Sequence, residues 1–273
     1  AQQVLSEFDK TQIDFLILCT QSPEYYLPTT ACILQDKLGL HTGVGAFDFN
    51  LGCSGYVYGL AIAKGLINTG IAANVLLLTS ETYSKHIHPK DKANRTIFGD
   101  GAAATIIAKS ETDKILEFDL GTDGRGMHNL IIRNGGLRSR YNPAEPEITD
   151  EGGNIRTNNT LYMNGPEIFN FTIEAVPVTV QRALEKNKLT LADVDYVIFH
   201  QANKYMLDYL RKKINIPKEK FFNNMLTTGN TVSATIPIAL KDALEQHVIK
   251  PGDTVLLCGF GVGYSWGTTI III

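Results

Sequence analysis

Apolar and polar positions along this chain change period in blocks. Asp14-Phe15-Leu16-Ile17-Leu18-Cys19, Asn74-Val75-Leu76-Leu77-Leu78-Thr79, Asp195-Tyr196-Val197-Ile198-Phe199 and Asp253-Thr254-Val255-Leu256-Leu257-Cys258 are short apolar runs, each entered from a polar residue. Such runs predict strands buried on both faces. Residues 45–51, 101–108 and the β-branched 268–273 predict three more. Between strands the spacing turns helical, over 29–38 (stopped by Gly39) and over 58–67. Strands alternating with helices predict an α/β fold.

The order repeats. The run at Asp195 echoes the run at Asp14, and the run at Asp253 echoes the run at Asn74, both offset by about 180 residues. That period is too long for a solenoid and predicts a duplicated α/β unit. Two halves are expected, residues 1–118 and 119–273. Under the same offset Cys53 corresponds to Ser233 and Ala234. Residues 121–160 break the pattern with Gly124, Gly126, Gly135, Gly136, Pro143, Pro146, Gly152 and Gly153, and predict a long loop or excursion.

Composition narrows the classes. The 273 residues, 44% of them hydrophobic, suffice for one large domain or two fused half-domains. A net charge of −3 argues against a nucleic-acid binder. The four cysteines, Cys19, Cys32, Cys53 and Cys258, are scattered with no C-x-x-C pair, which suits a reducing compartment and gives no zinc signature. With no signal peptide visible at the start and no apolar run long enough to span a bilayer, a cytoplasmic protein is expected, with no membrane partner.

Cys53 sits where the run Phe47-Asp48-Phe49-Asn50-Leu51 meets a helix, between the small residues Gly52, Ser54 and Gly55. A thiol there meets the positive end of a helix dipole, which favours thiolate and makes Cys53 a candidate nucleophile. His200, in Phe199-His200-Gln201-Ala202-Asn203, closes a strand before a helix. Asn230, in Thr228-Gly229-Asn230-Thr231, lies in a glycine turn before another. Strand-to-helix junctions are where open α/β sheets bind ligands. A lone cysteine or histidine is more often structural, but three such residues at three junctions point to one site.

These motifs resemble the thiolase superfamily, and within it the type III β-ketoacyl-acyl-carrier-protein synthases. The resemblance is carried by Asp48-Phe49-Asn50-Leu51-Gly52-Cys53-Ser54-Gly55, Phe98-Gly99-Asp100-Gly101-Ala102, His200-Gln201-Ala202-Asn203, Gly229-Asn230-Thr231 and Gly259-Phe260-Gly261-Val262-Gly263-Tyr264-Ser265-Trp266-Gly267, in the family's order. It implies a thiolase-like fold of two duplicated halves in αβαβα layers. It implies that Cys53 takes an acyl group from a thioester, and that His200 and Asn230 hold the thioester oxygen of a malonyl group as it decarboxylates. The carbanion then attacks the acyl group, whose oxygen is held by the backbone N–H groups of Cys53 and Val262. Ala202, Asn203, Phe260 and Lys92 are implied along the substrate tunnel. Lys204, Arg211, Lys212 and Lys213 are implied as contacts to acyl carrier protein, although a solvated helix face explains the same charges. The substrates are coenzyme A and carrier-protein thioesters, no cofactor or metal is needed, and a homodimer is expected.

The chain also departs from the family. It starts late, within what reads as the second half of a helix, where the family has a preceding strand. The 121–160 stretch is longer than usual and is expected to reshape the acyl pocket or the dimer contact. Val262 stands in place of a glycine, and Tyr205 and Lys92 in place of arginines near the coenzyme A phosphates. Two rival readings stay open at this level. One is an acyltransferase that moves the acyl group from Cys53 to an alcohol or amine. The other is a non-catalytic scaffold subunit. His86-x-His88 lacks a third ligand, Gly99-Asp100-Gly101 lacks the Lys-Ser/Thr of a phosphate loop, and Asp100 is expected to hold a turn. Glu81 lies in the wrong local pattern for the added acid/base of hydroxymethylglutaryl synthases.

Overall fold

The computed structural model describes all residues, 1–273. Twelve strands form in chain order: β1 Phe15–Cys19, β2 Gly45–Phe49, β3 Asn74–Glu81, β4 Gly101–Ala108, β5 Asp119–Thr122, β6 Leu130–Ile131, β7 Ile148–Thr149, β8 Ile155–Arg156, β9 Tyr162–Met163, β10 Tyr196–Phe199, β11 Thr254–Gly261 and β12 Ser265–Ile272. Eight α-helices accompany them: α1 Gln2–Leu5, α2 Thr30–Lys37, α3 Gly55–Asn68, α4 Lys92–Arg95, α5 Gly165–Lys186, α6 Lys204–Lys213, α7 Met225–Thr228 and α8 Thr235–Glu245.

Two four-stranded sheets carry the architecture, ordered β2-β1-β3-β4 and β10-β11-β12-β5. In the first, β1 pairs in parallel with β2 and β3, and β4 returns antiparallel beside β3. In the second, β10 is parallel to β11 and β12 returns antiparallel. The repeat read from the sequence is therefore a repeat of topology. Sheet two has β5 beyond its antiparallel strand. Sheet one ends at β4, along which run two surface grooves of ≈ 680 and ≈ 610 Å³.

The runs that predicted strands are buried because both faces of each sheet are covered. Leu16, Ile17, Leu76, Val197, Ile198, Leu256 and Leu257 are fully buried. Helices α3 and α8 lie between the sheets and touch both. Their apolar faces join both halves in one core that includes Val57, Leu60, Leu77, Ile236, Ala239 and Leu257. Helix α2 covers the outside of sheet one, while α5 and α6 cover sheet two with Val176, Val180, Leu207 and Leu210. The result is the expected five-layer α/β arrangement. Fully burying a large aliphatic side chain stabilises by roughly 1.5–3 kcal/mol, so these shared layers dominate the fold's energetics.

The 121–160 stretch is not structureless. β6 pairs with β9 and β7 with β8, and the Leu161 N–H donates to His86 O at 2.8 Å. The side chains of Asn134, Asn142, Asn158 and Asn159 tie it internally around Glu145. The end of the excursion is thereby fixed against the first half, whereas its start, in β5, pairs with β12 of the second.

Candidate active site

The site is built where α3 and α8 begin between the sheets. β2 runs through 50–52 to Cys53, and α3 starts at Gly55 with Ser54 as N-cap. The end of β11 lies against the cysteine because it carries glycines. A Cβ on Gly261 would stand 2.8 Å from the Cys53 Sγ, and one on Gly259 would stand 2.7 Å from the Cys53 carbonyl oxygen. Only glycine permits that approach.

The backbone N–H groups of Cys53 and Val262 face the thiol and hold its pKa down, yet burial, with the Glu81 charge behind it, pushes it up to about 12. The sequence expectation of a resting thiolate is therefore corrected. A helix terminus supplies up to ~2 kcal/mol, equivalent to about 1.5 pKa units. That is less than the rise from an ordinary 9.0 to about 12. The resting group is a buried thiol beside two N–H donors.

His200 follows β10 directly, and its N–H donates to Cys258 O at 2.8 Å. Its Nδ1 lies 2.7 Å from the Thr235 Oγ1. Burial drives the imidazole down to about 3, so it is neutral. Asn230 is pinned to the first half on both sides, its N–H donating to Ile97 O and its carbonyl accepting from the Gly99 N–H, each at 2.9 Å. Its Oδ1 accepts the Val232 N–H at 2.9 Å. That bond turns the amide's NH₂ inward, where its one protein contact is a long 3.4 Å bond to Ala202 O.

Cys53, His200, Ala202, Asn203, Asn230 and Phe260 line one cavity of ≈ 70 Å³. The structure thus brings the three residues singled out from the sequence together with three of the four tunnel positions. Asn203 also caps α6, accepting the Met206 N–H at 2.9 Å. Val262 packs beside the cavity in the apolar cluster that holds Cys53 and Val232. Tyr83, Phe98, Leu130 and Met163 close the walls, and sequence reading missed them as a group. Leu130, from the excursion, and Met163, just after it, arrive on the β6–β9 ribbon. Tyr83 is held by its hydroxyl donating to Gln21 Oε1 at 2.7 Å.

Other predicted positions lie apart. Lys92 is exposed on α4 and does not line the cavity. On α6, Lys204 and Arg211 share a face about two turns apart, while Lys213 points to the opposite side. Arg211 donates to Ile216 O at 3.1 Å, and all three C-terminal cations sit where the helix dipole favours them. The four charges are not one patch. Asp100 accepts from both the N–H and the hydroxyl of Ser84, which is the turn-holding role expected of it. His86 lies 3.4 Å from Ser22 Oγ and His88 3.6 Å from Glu147, so the two imidazoles serve different partners.

Glu81 is the site residue whose place the sequence did not reveal. It is buried at the end of β3, outside the cavity lining. It accepts the Gln21 N–H, the Ser22 hydroxyl at 3.2 Å and the Ser233 hydroxyl at 2.9 Å. Burial outweighs those donors and raises its pKa to about 7.

Comparison with known proteins shows the family of the chain. Residues 47–124 match the family described as 3-oxoacyl-[acyl-carrier-protein (ACP)] synthase III, and residues 184–273 match its C-terminal region. The chain is 37% identical over 260 residues to the beta-ketoacyl-[acyl-carrier-protein] synthase III of Clostridium perfringens, covering 95% of this chain and 77% of that one. A crystal structure of a 3-oxoacyl-(acyl-carrier-protein) synthase III matches all of this chain and 82% of its own, at 46% identity and a TM-score of 0.97. The Burkholderia xenovorans 3-oxoacyl-(acyl-carrier protein) synthase does so at 38% identity and a TM-score of 0.91, with 77% of its own chain covered.

Proposed function

We propose a reaction course from one premise: the chain belongs to the 3-oxoacyl-[acyl-carrier-protein] synthase III family and is an acyl-transferring condensing enzyme of fatty acid biosynthesis. An acyl thioester enters beside Cys53. The sulfur bonds to the acyl carbon, and the thiol proton leaves with the departing carrier thiol. The two N–H groups facing the sulfur support the tetrahedral oxyanion.

A malonyl thioester, carried by acyl carrier protein, then takes the other end of the cavity. Its bond to the carboxylate breaks, CO₂ leaves, and the enolate oxygen accepts hydrogen bonds from His200 and Asn230. Neutral donors aimed at that oxygen stabilise the charge as it develops. The enolate carbon attacks the acyl carbonyl, a C–C bond forms, the C–S bond to Cys53 breaks as the β-ketoacyl product departs, and the thiolate takes a proton from solvent to restore the thiol. Every step is heterolytic and calls for no redox group or metal. The apolar walls shield the enolate from protonation by water.

One observation carries this reading: a buried thiol with two backbone N–H groups, a neutral imidazole and an inward-turned amide converge on a single cavity. Phe260, Ala202 and Asn203 line the approach for the pantetheine arm of coenzyme A or carrier protein. Of the basic residues, Lys204 and Arg211 are the pair that a carrier protein reaches on one face. A homodimer is supported by the free edge of β2 and by exposed Tyr25, Tyr26 and Leu27 nearby in sequence. No helix is long and apolar enough to cross a membrane, which suits the cytoplasmic setting we infer.

Intact-protein mass spectrometry tests the course. The protein is incubated with a panel of acyl-coenzyme A and acyl-carrier-protein donors, then chased with malonyl carrier protein. An adduct absent from Cys53→Ala and discharged by malonyl is expected. An adduct that malonyl leaves in place would redirect the acyl group to another acceptor.

A further inference from the structure

Thr235 is the first residue of α8, as Gly55 is the first of α3. The strand registers give the two positions matching neighbours. Cys19 stands opposite Thr79 on β3, and Phe199 opposite Cys258 on β11, so His200 holds in the second half the place of Cys19 in the first. A Cβ on Gly55 would stand 2.2 Å from the Cys19 Sγ. Thr235 has a side chain at the corresponding point and sets its Oγ1 2.7 Å from the His200 Nδ1.

The hydroxyl has one proton and two acceptors in reach, Nδ1 and the Val232 carbonyl oxygen at 3.0 Å. The carbonyl already receives the Thr235 backbone N–H, and it also lies against the His200 ring, so it competes for a proton on Nδ1. The neutral ring likewise carries one proton, and its position follows from the bond made at the other nitrogen. With the hydroxyl donating to Nδ1, the ring proton sits on Nε2, ready for the enolate oxygen. With the hydroxyl turned to Val232, Nδ1 keeps the proton and Nε2 offers only a lone pair, which repels that oxygen. We propose that Thr235 is a positioning residue that selects the donor tautomer of His200 by giving its hydroxyl proton to Nδ1.

The inference rests on the condensing reading, and the two are tested apart. Tautomers are read by ¹⁵N NMR of the imidazole, acylation by the mass of acyl-Cys53, and decarboxylation by CO₂ released from malonyl carrier protein. Wild type is expected as the Nε2–H form. Thr235→Val keeps the shape and lets Nδ1 donate to Val232 O; decarboxylation falls by about 100-fold, as for one lost oxyanion donor, while acylation stays within a few-fold. Thr235→Ser restores both the tautomer and the rate. An Nδ1–H ring in the wild type, or normal CO₂ release by Thr235→Val, would overturn the proposal. If Thr235→Val does not fold, the wild-type and Thr235→Ser spectra decide alone. Wild type that releases no CO₂ from any malonyl thioester would instead overturn the condensing reading.

Discussion

At the end of β11 stands Gly261, and at the matching end of β3 stands Glu81. Before α3 stands Cys53, and before α8, at the same distance from the helix, stands Ser233. Each thus faces the other half's strand end. Cys53 meets a glycine with a Val262 N–H behind it, and the space beside it is a cavity. Ser233 meets the Glu81 carboxylate, which accepts its hydroxyl at 2.9 Å, and neither residue lines the Cys53 cavity. One topology laid down twice has given one reaction chamber and one polar strut. Whether the strand end carries a side chain decides which.

The largest effect expected is at the open crossing. Cys53→Ala removes acyl transfer entirely, because Cys53 is the only thiol lining the cavity. It leaves His200 and Asn230 in place, so CO₂ release from a malonyl thioester persists. Loss of both activities in a folded variant would mean that the sulfur itself shapes the donor pair. Asn230→Ala has the complementary outcome. Acyl-Cys53 still forms, and condensation falls by roughly two to three decades, the usual consequence of losing one oxyanion donor. Single-turnover assays of the two half-reactions separate them, and normal condensation by this variant would remove Asn230 from the mechanism.

At the filled crossing the expected effect is on stability, and its sign follows from Glu81. A carboxyl held near 7 in the fold, against 4.5 ordinarily, favours folding while protonated. That contribution is fully present below about pH 4.5 and is lost as pH rises through 7. The shift corresponds to about 3 kcal/mol. His200 titrates oppositely, since its neutral form is favoured in the fold. The difference between wild type and Glu81→Gln therefore isolates the carboxyl. Urea midpoints measured from pH 4.5 to 8 should fall more steeply in wild type than in Glu81→Gln, and parallel curves would show that the carboxyl is not held near neutrality.

The same contrast explains what could be read from the chain alone. The strands were legible because burial on both faces demands continuous apolar runs, as in 75–78 and 255–257. Cys53, His200 and Asn230 were legible because each stands at a strand–helix junction in a distinct motif. Glu81 was not, because a carboxylate ending an apolar strand looks the same whether solvent or Ser233 receives it. Only the meeting of the halves decides. Tyr83, Leu130 and Met163 were hidden for a similar reason, since the ribbon that carries two of them is set by contacts such as Leu161 to His86. The thiol's high pKa was hidden because desolvation is a property of packing, whereas the dipole favouring the thiolate could be read from local sequence.

The smallest effect expected is the sharpest test of the comparison. Ser233→Cys in the Cys53→Ala background restores the residue type of the nucleophile at the equivalent place in the other half. If residue type and position before a helix made the nucleophile, the acyl adduct would return. We expect none. The substituted side chain remains buried against a carboxylate, whose charge disfavours thiolate, and it lies outside the cavity that receives the acyl group at Cys53. Mass spectrometry of the double variant with the donors that label wild type reads this directly. A labelled double variant would show that Glu81 does not block the second crossing. Adding Glu81→Gly to that variant removes the strut and gives the strand end the glycine that Gly261 supplies at the first. An adduct appearing only in the triple variant would show that the carboxylate alone separates the two crossings.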